Sequence, residues 1–68
     1  MNEIIVSRKG IDKSGNAWIQ LQRDAVVEGL GVAKLRCFVA INQETYEART
    51  EGEVLRLPES FVRSLRWS

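Results

Sequence analysis

Seven residues of this chain have the types and spacing to do chemistry: Arg8, Lys13, Asn16, Trp18, Lys34, Arg36 and Phe38. Guanidinium and ammonium groups pair with phosphates. Aromatic faces stack on bases at roughly 1–3 kcal/mol per base, and single-strand binders combine a cationic track with such rings. An Asn amide can hydrogen-bond to a backbone or a base. The competing account makes Trp18 and Phe38 core or dimer-interface residues and leaves the cations as ordinary solvated charges. Aromatics in small domains are buried more often than not, which favours that second account from the pattern alone.

Other chemistry has less to stand on. Cys37 is the single cysteine, it falls on the apolar parity of a strand, and the chain has no histidine to deprotonate it, so it reads as structural. One Cys without His makes a zinc site unexpected. Glu44, Glu47, Glu51 and Glu53 belong to a polar stretch with no apolar pocket to raise a carboxyl pKa. Gly29-Leu30-Gly31 is a turn, too short and too acidic in its setting to cradle phosphate. With no nucleophile–base pair and no cofactor motif, the chain reads as a non-enzyme without metal, cofactor or small-molecule substrate.

The elements that must carry the seven residues follow from alternation. Residues 3–9 read as a first strand, because Ile4, Ile5 and Val6 suit a pleated surface. Residues 10–16 form a turn or extended hairpin loop, since Gly and Asn tolerate positive φ. Residues 17 to about 27 form the second strand, with Trp18, Gln20 and Gln22 on one face and Ile19 and Leu21 on the other. Arg23 falls on the apolar parity, which predicts a bulge or strand end near residues 22–24; a helix over 22–30 is the competing assignment. Residues 32–42 are the most strand-like, with Leu35, Cys37, Val39 and Ile41 opposite Lys34, Arg36, Phe38 and Ala40.

Residues 43–52 read as a polar loop around Tyr46. A short strand over 53–57 puts Val54 on one face and Leu55 and Leu57 on the other. Pro58 then opens a short helix over 58–65, a position where proline costs little, with Phe61 and Leu65 docking together on the sheet. Arg63, Arg66 and Trp67 stay open between a capping role and a partner contact. The fold class is all-β: a small OB-like or SH3-like barrel of four to five antiparallel strands with one short C-terminal helix.

Length sets further limits. Sixty-eight residues make a single domain, and a chain this short buries only roughly 60% of its unfolded surface. Domains below about 70–80 residues usually need disulfides, a metal or oligomerisation. Elimination leaves a homodimer. No apolar run is long enough to span a bilayer and no signal-peptide pattern opens the chain, so no membrane association and a cytoplasmic setting are expected. The net charge of +1 neither demands nor forbids nucleic acid, because distribution decides.

The stretch Gly10-Ile11-Asp12-Lys13-Ser14-Gly15-Asn16-Ala17-Trp18 resembles the DNA-binding wing of the filamentous-phage gene V proteins, dimeric OB-like barrels that coat single-stranded viral DNA during replication. Gly10, Lys13, Gly15, Trp18 and Gln22-Arg23 stand in the order of the family pattern, with a cation, Arg8, two residues ahead. Residues 34–42 are similar to the family's central strand, Tyr46 and Gly52 to its tyrosine and glycine turn, and Ser60-Phe61 to its Ser-Phe pair. The resemblance implies a relative whose C-terminal hairpin is reduced to residues 63–67, working in host cytoplasm.

On this reading Arg8, Lys13, Lys34 and Arg36 contact phosphates, Trp18 and Phe38 stack on bases, and Asn16 hydrogen-bonds. The expected function is binding of single-stranded DNA or RNA with little sequence preference. The alternative, favoured by the near-neutral charge and the acidic residues of 43–53, is a small phage or plasmid accessory protein that binds or inhibits another protein.

Overall fold

A computed structural model describes residues 3–68. Its strands are β1 (Glu3–Ile11), β2 (Ala17–Val27), β3 (Gly31–Ile41) and β4 (Val54–Arg56), with helices α1 (Gln43–Ala48) and α2 (Glu59–Ser64). The strands form one open antiparallel sheet in the order β3-β2-β1-β4. The framework is therefore all-β and barrel-like, with the helices on one face of the sheet.

Two hairpins build most of it. The first turns at residues 12–16, where Asp12 organises the backbone: its Oδ1 accepts from the N–H groups of Ser14 and Asn16, both at 2.9 Å. Gly15 takes φ 85°, a left-handed conformation that a side chain would strain. The acid in this basic turn is thus an Asx-type turn former. β1 runs on to Ile11, two residues past the expected strand end.

Neither the bulge nor the strand end expected near residues 22–24 occurs; the irregularity of the β1–β2 ladder is on β1. Val6 pairs with Leu21 and Arg8 with Gln20, so Ser7 is the extra residue. The β2–β3 ladder runs through Arg23 without a break, pairing it with Leu35. Arg23 stays on the inner face, and its guanidinium lies 5.1 Å from the centre of the Trp67 ring. A cation–π contact and a hydrocarbon stem account for an arginine on an apolar parity.

The inner face holds the core. Ile4, Val6, Ile19, Leu21 and Val62 are buried together, with Val39, Ile41, Leu55, Leu57, Leu65 and Trp67 packed against them. Val54 faces out and Leu55 in, as alternation requires. α2 docks through Val62 rather than Phe61: Val62 is buried, and Phe61 is 42% exposed. Val62 and Leu65 are three apart and Phe61 and Leu65 four apart, so helical spacing alone does not choose between them.

Residues 43–48, expected as loop, form α1. Asn42 leaves β3 and caps the helix, its Oδ1 accepting from the Thr45 N–H at 2.7 Å. The tail closes the other side. Trp67 donates its indole N–H to the Val62 carbonyl at 2.9 Å, and Ser68 exchanges two backbone hydrogen bonds of 3.0 Å with Arg36 on the outer edge of β3. No described helix is long and apolar enough to cross a membrane.

Candidate nucleic-acid interface

The pleat sends alternate side chains to opposite faces. The face away from the core is laid out in cross-strand rows set by the register. Ala40, Trp18 and Gly10 form one row; Phe38, Gln20 and Arg8 the next; Arg36, Gln22 and Ile5 the third; Lys34 and Asp24 the fourth; Val32 and Val26 the last. Five of the seven candidate residues, Arg8, Trp18, Lys34, Arg36 and Phe38, therefore share one face. Lys13 and Asn16 lie in the exposed turn at the wing end of that hairpin.

Arg8 is there because of the bulge. In an unbroken strand residue 8 has the parity of Ile4 and Val6 and points into the core. The extra Ser7 shifts the phase, so Arg8 turns outward beside Gln20 while Lys9 turns in. The Lys9 ammonium then donates to the Tyr46 carbonyl at 2.9 Å and sits 4.5 Å over the Tyr46 ring. Alternation sends two adjacent cations to opposite faces, and the inserted residue decides that Arg8 takes the solvent face and Lys9 the structural contact.

The aromatic pair is arranged unequally. The Trp18 indole lies across Gly10, where a Cβ would stand 2.5 Å from its Cζ2. Trp18 is half-buried in this way, while Phe38 meets it edge-to-face with centroids 5.3 Å apart and an interplanar angle of 72°. Phe38 itself is 66% exposed. Trp18 is the buttress and Phe38 the open ring.

Charge on the face is available for a ligand. Among the described residues the ion pairs are Arg49–Glu53, Arg56–Glu3 and Arg63–Glu59, so Arg8, Lys13, Lys34 and Arg36 are in none of them. Lys34 stands across the ladder from Asp24, which offsets part of its charge. Arg36 stands next to Phe38 on that face of β3, whereas Arg8 lies two strands away in the Phe38 row with Gln20 between them; Gln20 and Gln22 are the polar neighbours that period-2 alternation from Trp18 identifies.

A hollow of about 310 Å³ opens on this side at Ile5, Gln22, Asp24 and Val54, lined by none of the seven candidate residues. A cleft of about 580 Å³ opens on the inner side, between α1, α2 and the sheet, floored by Ile19, Leu21, Val39, Ile41 and Leu55. None of the seven candidate residues lines it. Cys37 is buried on that inner face, and α1, with Glu44 and Glu47, is carried after β3 beside β2. The candidate site is an open, ridged surface, suited to an extended ligand.

No protein-family model matches the chain, and neither a curated protein nor a solved structure is significantly similar to it.

Proposed function

We propose that the outer face of the sheet binds single-stranded nucleic acid with little sequence preference. The observation that carries this reading is Phe38: a phenyl ring two-thirds open to solvent, propped edge-on by Trp18, with Arg36 two residues along the same strand and Arg8 in the same row beyond Gln20. Val26, Leu30 and Val32 are more exposed still, so exposure alone does not single out Phe38; its edge-on contact with Trp18 and the arginine next to it on β3 do. An open ring beside a cation is a platform for base stacking.

In this arrangement Arg8 and Arg36 take phosphates on either side of a stacked base, and Gln20 and Gln22 offer amides to whatever base edge passes. Lys13 and Asn16 reach the same strand from the turn. Lys34 contributes less, being opposite Asp24. The family resemblance of residues 8–61 to the gene V proteins supports the same ligand class.

The test is fluorescence anisotropy of a labelled oligo-dT against the protein at several salt concentrations. Neutralising about four phosphates gives a slope of log K against log salt near −3. A flat salt response, or equal affinity for a duplex of the same length, overturns the reading.

The protein-interaction alternative has one observation of its own: Val26 and Val32 extend the same face as an apolar patch with Asp24 beside it. It separates from the first reading in the same titration, because a protein-binding module gives no oligonucleotide signal at any salt.

A further inference from the structure

β3 is an edge strand, and one contact fixes which of its backbone groups face outward. Arg36 and Ser68 exchange both N–H···O bonds at 3.0 Å, the close pair of an antiparallel ladder. The Arg36 N–H and C=O therefore point away from β2. Backbone groups alternate sides along a strand, so those of Val32, Lys34, Phe38 and Ala40 point the same way. Among the described residues no other backbone group meets them, and the one further hydrogen bond is from the Cys37 thiol to the Phe38 carbonyl at 3.7 Å. Ser68 thus fills a single rung of an edge 11 residues long with no break in its register.

From that rung toward the hairpin tip the edge is open. Its outer face carries Arg36, Lys34 and Val32 in file, and its inner face carries Leu35 and Ala33, both half-buried. Neither cation is in an ion pair among the described residues. Long edges are commonly guarded by charge against chance pairing. Here the guard is one-sided: antiparallel pairing with a second β3 across Lys34–Arg36 brings cations against cations, which is unfavourable. An acidic strand meets the same two charges favourably. A nucleic acid or a lipid has no peptide backbone with which to satisfy the edge.

We propose that the outer edge of β3 from Val32 to Arg36 takes up an extended acidic peptide of another protein as an added antiparallel strand, with Ser68 yielding its rung at Arg36. Main-chain pairing supplies the affinity, and pockets for alternate side chains supply the choice. The register sets the sequence. Running from its N-terminal end, the peptide has an acid opposite Arg36, an apolar residue beside Leu35 and an acid opposite Lys34, then apolar residues beside Ala33 and Val32. Trp67 keeps its own anchor on the Val62 carbonyl and need not move. The inference does not depend on a base stacking on Phe38.

Fluorescence anisotropy tests it on the full chain at up to about 500 µM, with a labelled peptide reading glutamate-valine-glutamate-valine-valine between glycine-serine flanks. The wild type binds this peptide saturably. A shuffled peptide of the same composition binds at least tenfold weaker, and so does one N-methylated at its two glutamates, whose N–H groups face β3. Val32→Pro weakens binding as much with an unchanged far-UV circular dichroism spectrum, because the N–H it removes takes no part in the β2–β3 ladder. The methylated peptide makes the same test on the unaltered protein if that spectrum changes. Lys34→Glu combined with Arg36→Glu loses this peptide and gains its lysine-for-glutamate counterpart. A wild type that binds no peptide overturns the proposal. So do a shuffled or methylated peptide that binds equally well, a charge reversal that fails to switch peptides, or a sedimentation mass that falls on Val32→Pro without peptide, which would give the edge to a second copy. Oligo-dT binding is scored separately and moves none of these outcomes.

Discussion

The Trp18 indole occupies the space in which residue 10 would carry its side chain, with Cζ2 2.5 Å from a Cβ built on Gly10. Gly10 does not adopt positive φ, so what excludes a side chain there is the ring above it and not the backbone. We predict that Gly10→Ala destabilises the protein by about 1–3 kcal/mol through overpacking, and that the same substitution in a Trp18→Ala background costs almost nothing. Urea unfolding of the four proteins measures the coupling. Additive effects would mean the glycine serves the backbone alone.

The inequality between the two rings gives a second expectation. Phe38→Ala lowers oligo-dT affinity by roughly 1–3 kcal/mol while leaving stability within about 0.5 kcal/mol, the usual range for exposed positions. Trp18→Ala lowers both affinity and stability, because the buttress is half-buried. Anisotropy and urea melts on the same preparations decide it. If Phe38→Ala binds like wild type, the stacking role assigned to it is wrong.

The outward cations differ in what they contribute. Arg8→Gln and Arg36→Gln each flatten the salt slope by about 0.7, the share of one phosphate on a single strand. Lys34→Gln changes it less, since Asp24 stands across from it. Lys9→Gln changes it not at all, because its ammonium is engaged with Tyr46 on the other face. Titrations at four or five salt concentrations measure all four slopes. A Lys9 effect as large as that of Arg8 would contradict the assignment of faces.

Asp12 separates shape from charge. Asp12→Asn keeps an oxygen that accepts from the Ser14 and Asn16 N–H groups and removes a negative charge beside Lys13, so it preserves the turn and tightens nucleic-acid binding. Asp12→Ala loses both acceptor contacts, each about 1 kcal/mol, and loosens the wing. The pair is read by amide hydrogen exchange at residues 14–16 together with oligo-dT affinity. Weaker binding by Asp12→Asn would show that the carboxylate itself serves the ligand.

Much of this was legible in the chain because β-structure announces itself locally. Alternation from Trp18 to Gln22 and from Lys34 to Ile41 assigned both faces of the two long strands, and the Ser14-Gly15-Asn16 turn placed the first hairpin. What escaped has long-range or very short-range causes. Arg23 breaks the parity of β2, and its remedy, the Trp67 ring, lies at the other end of the chain. α1 is six residues long with no buried member, so it leaves no apolar stripe, and its one signal is the cap at Asn42. The Ser7 bulge sits in a strand whose apolar run, Ile4 to Val6, is continuous and carries no phase to be broken. The socket at Gly10 is visible only once the register places it under Trp18.

Ser7 also says something about how this chain tolerates change in length. It is paired with nothing on β2, and the rungs on either side of it, Val6 with Leu21 and Arg8 with Gln20, are those of consecutive residues. Deleting it removes no rung of the ladder and leaves Arg8 directly after Val6, so Arg8 still faces out and Lys9 still faces in. Replacing Ser7 and omitting it are therefore both mild events for the register. At this position the fold accommodates one residue more or less, because the irregularity absorbs the difference.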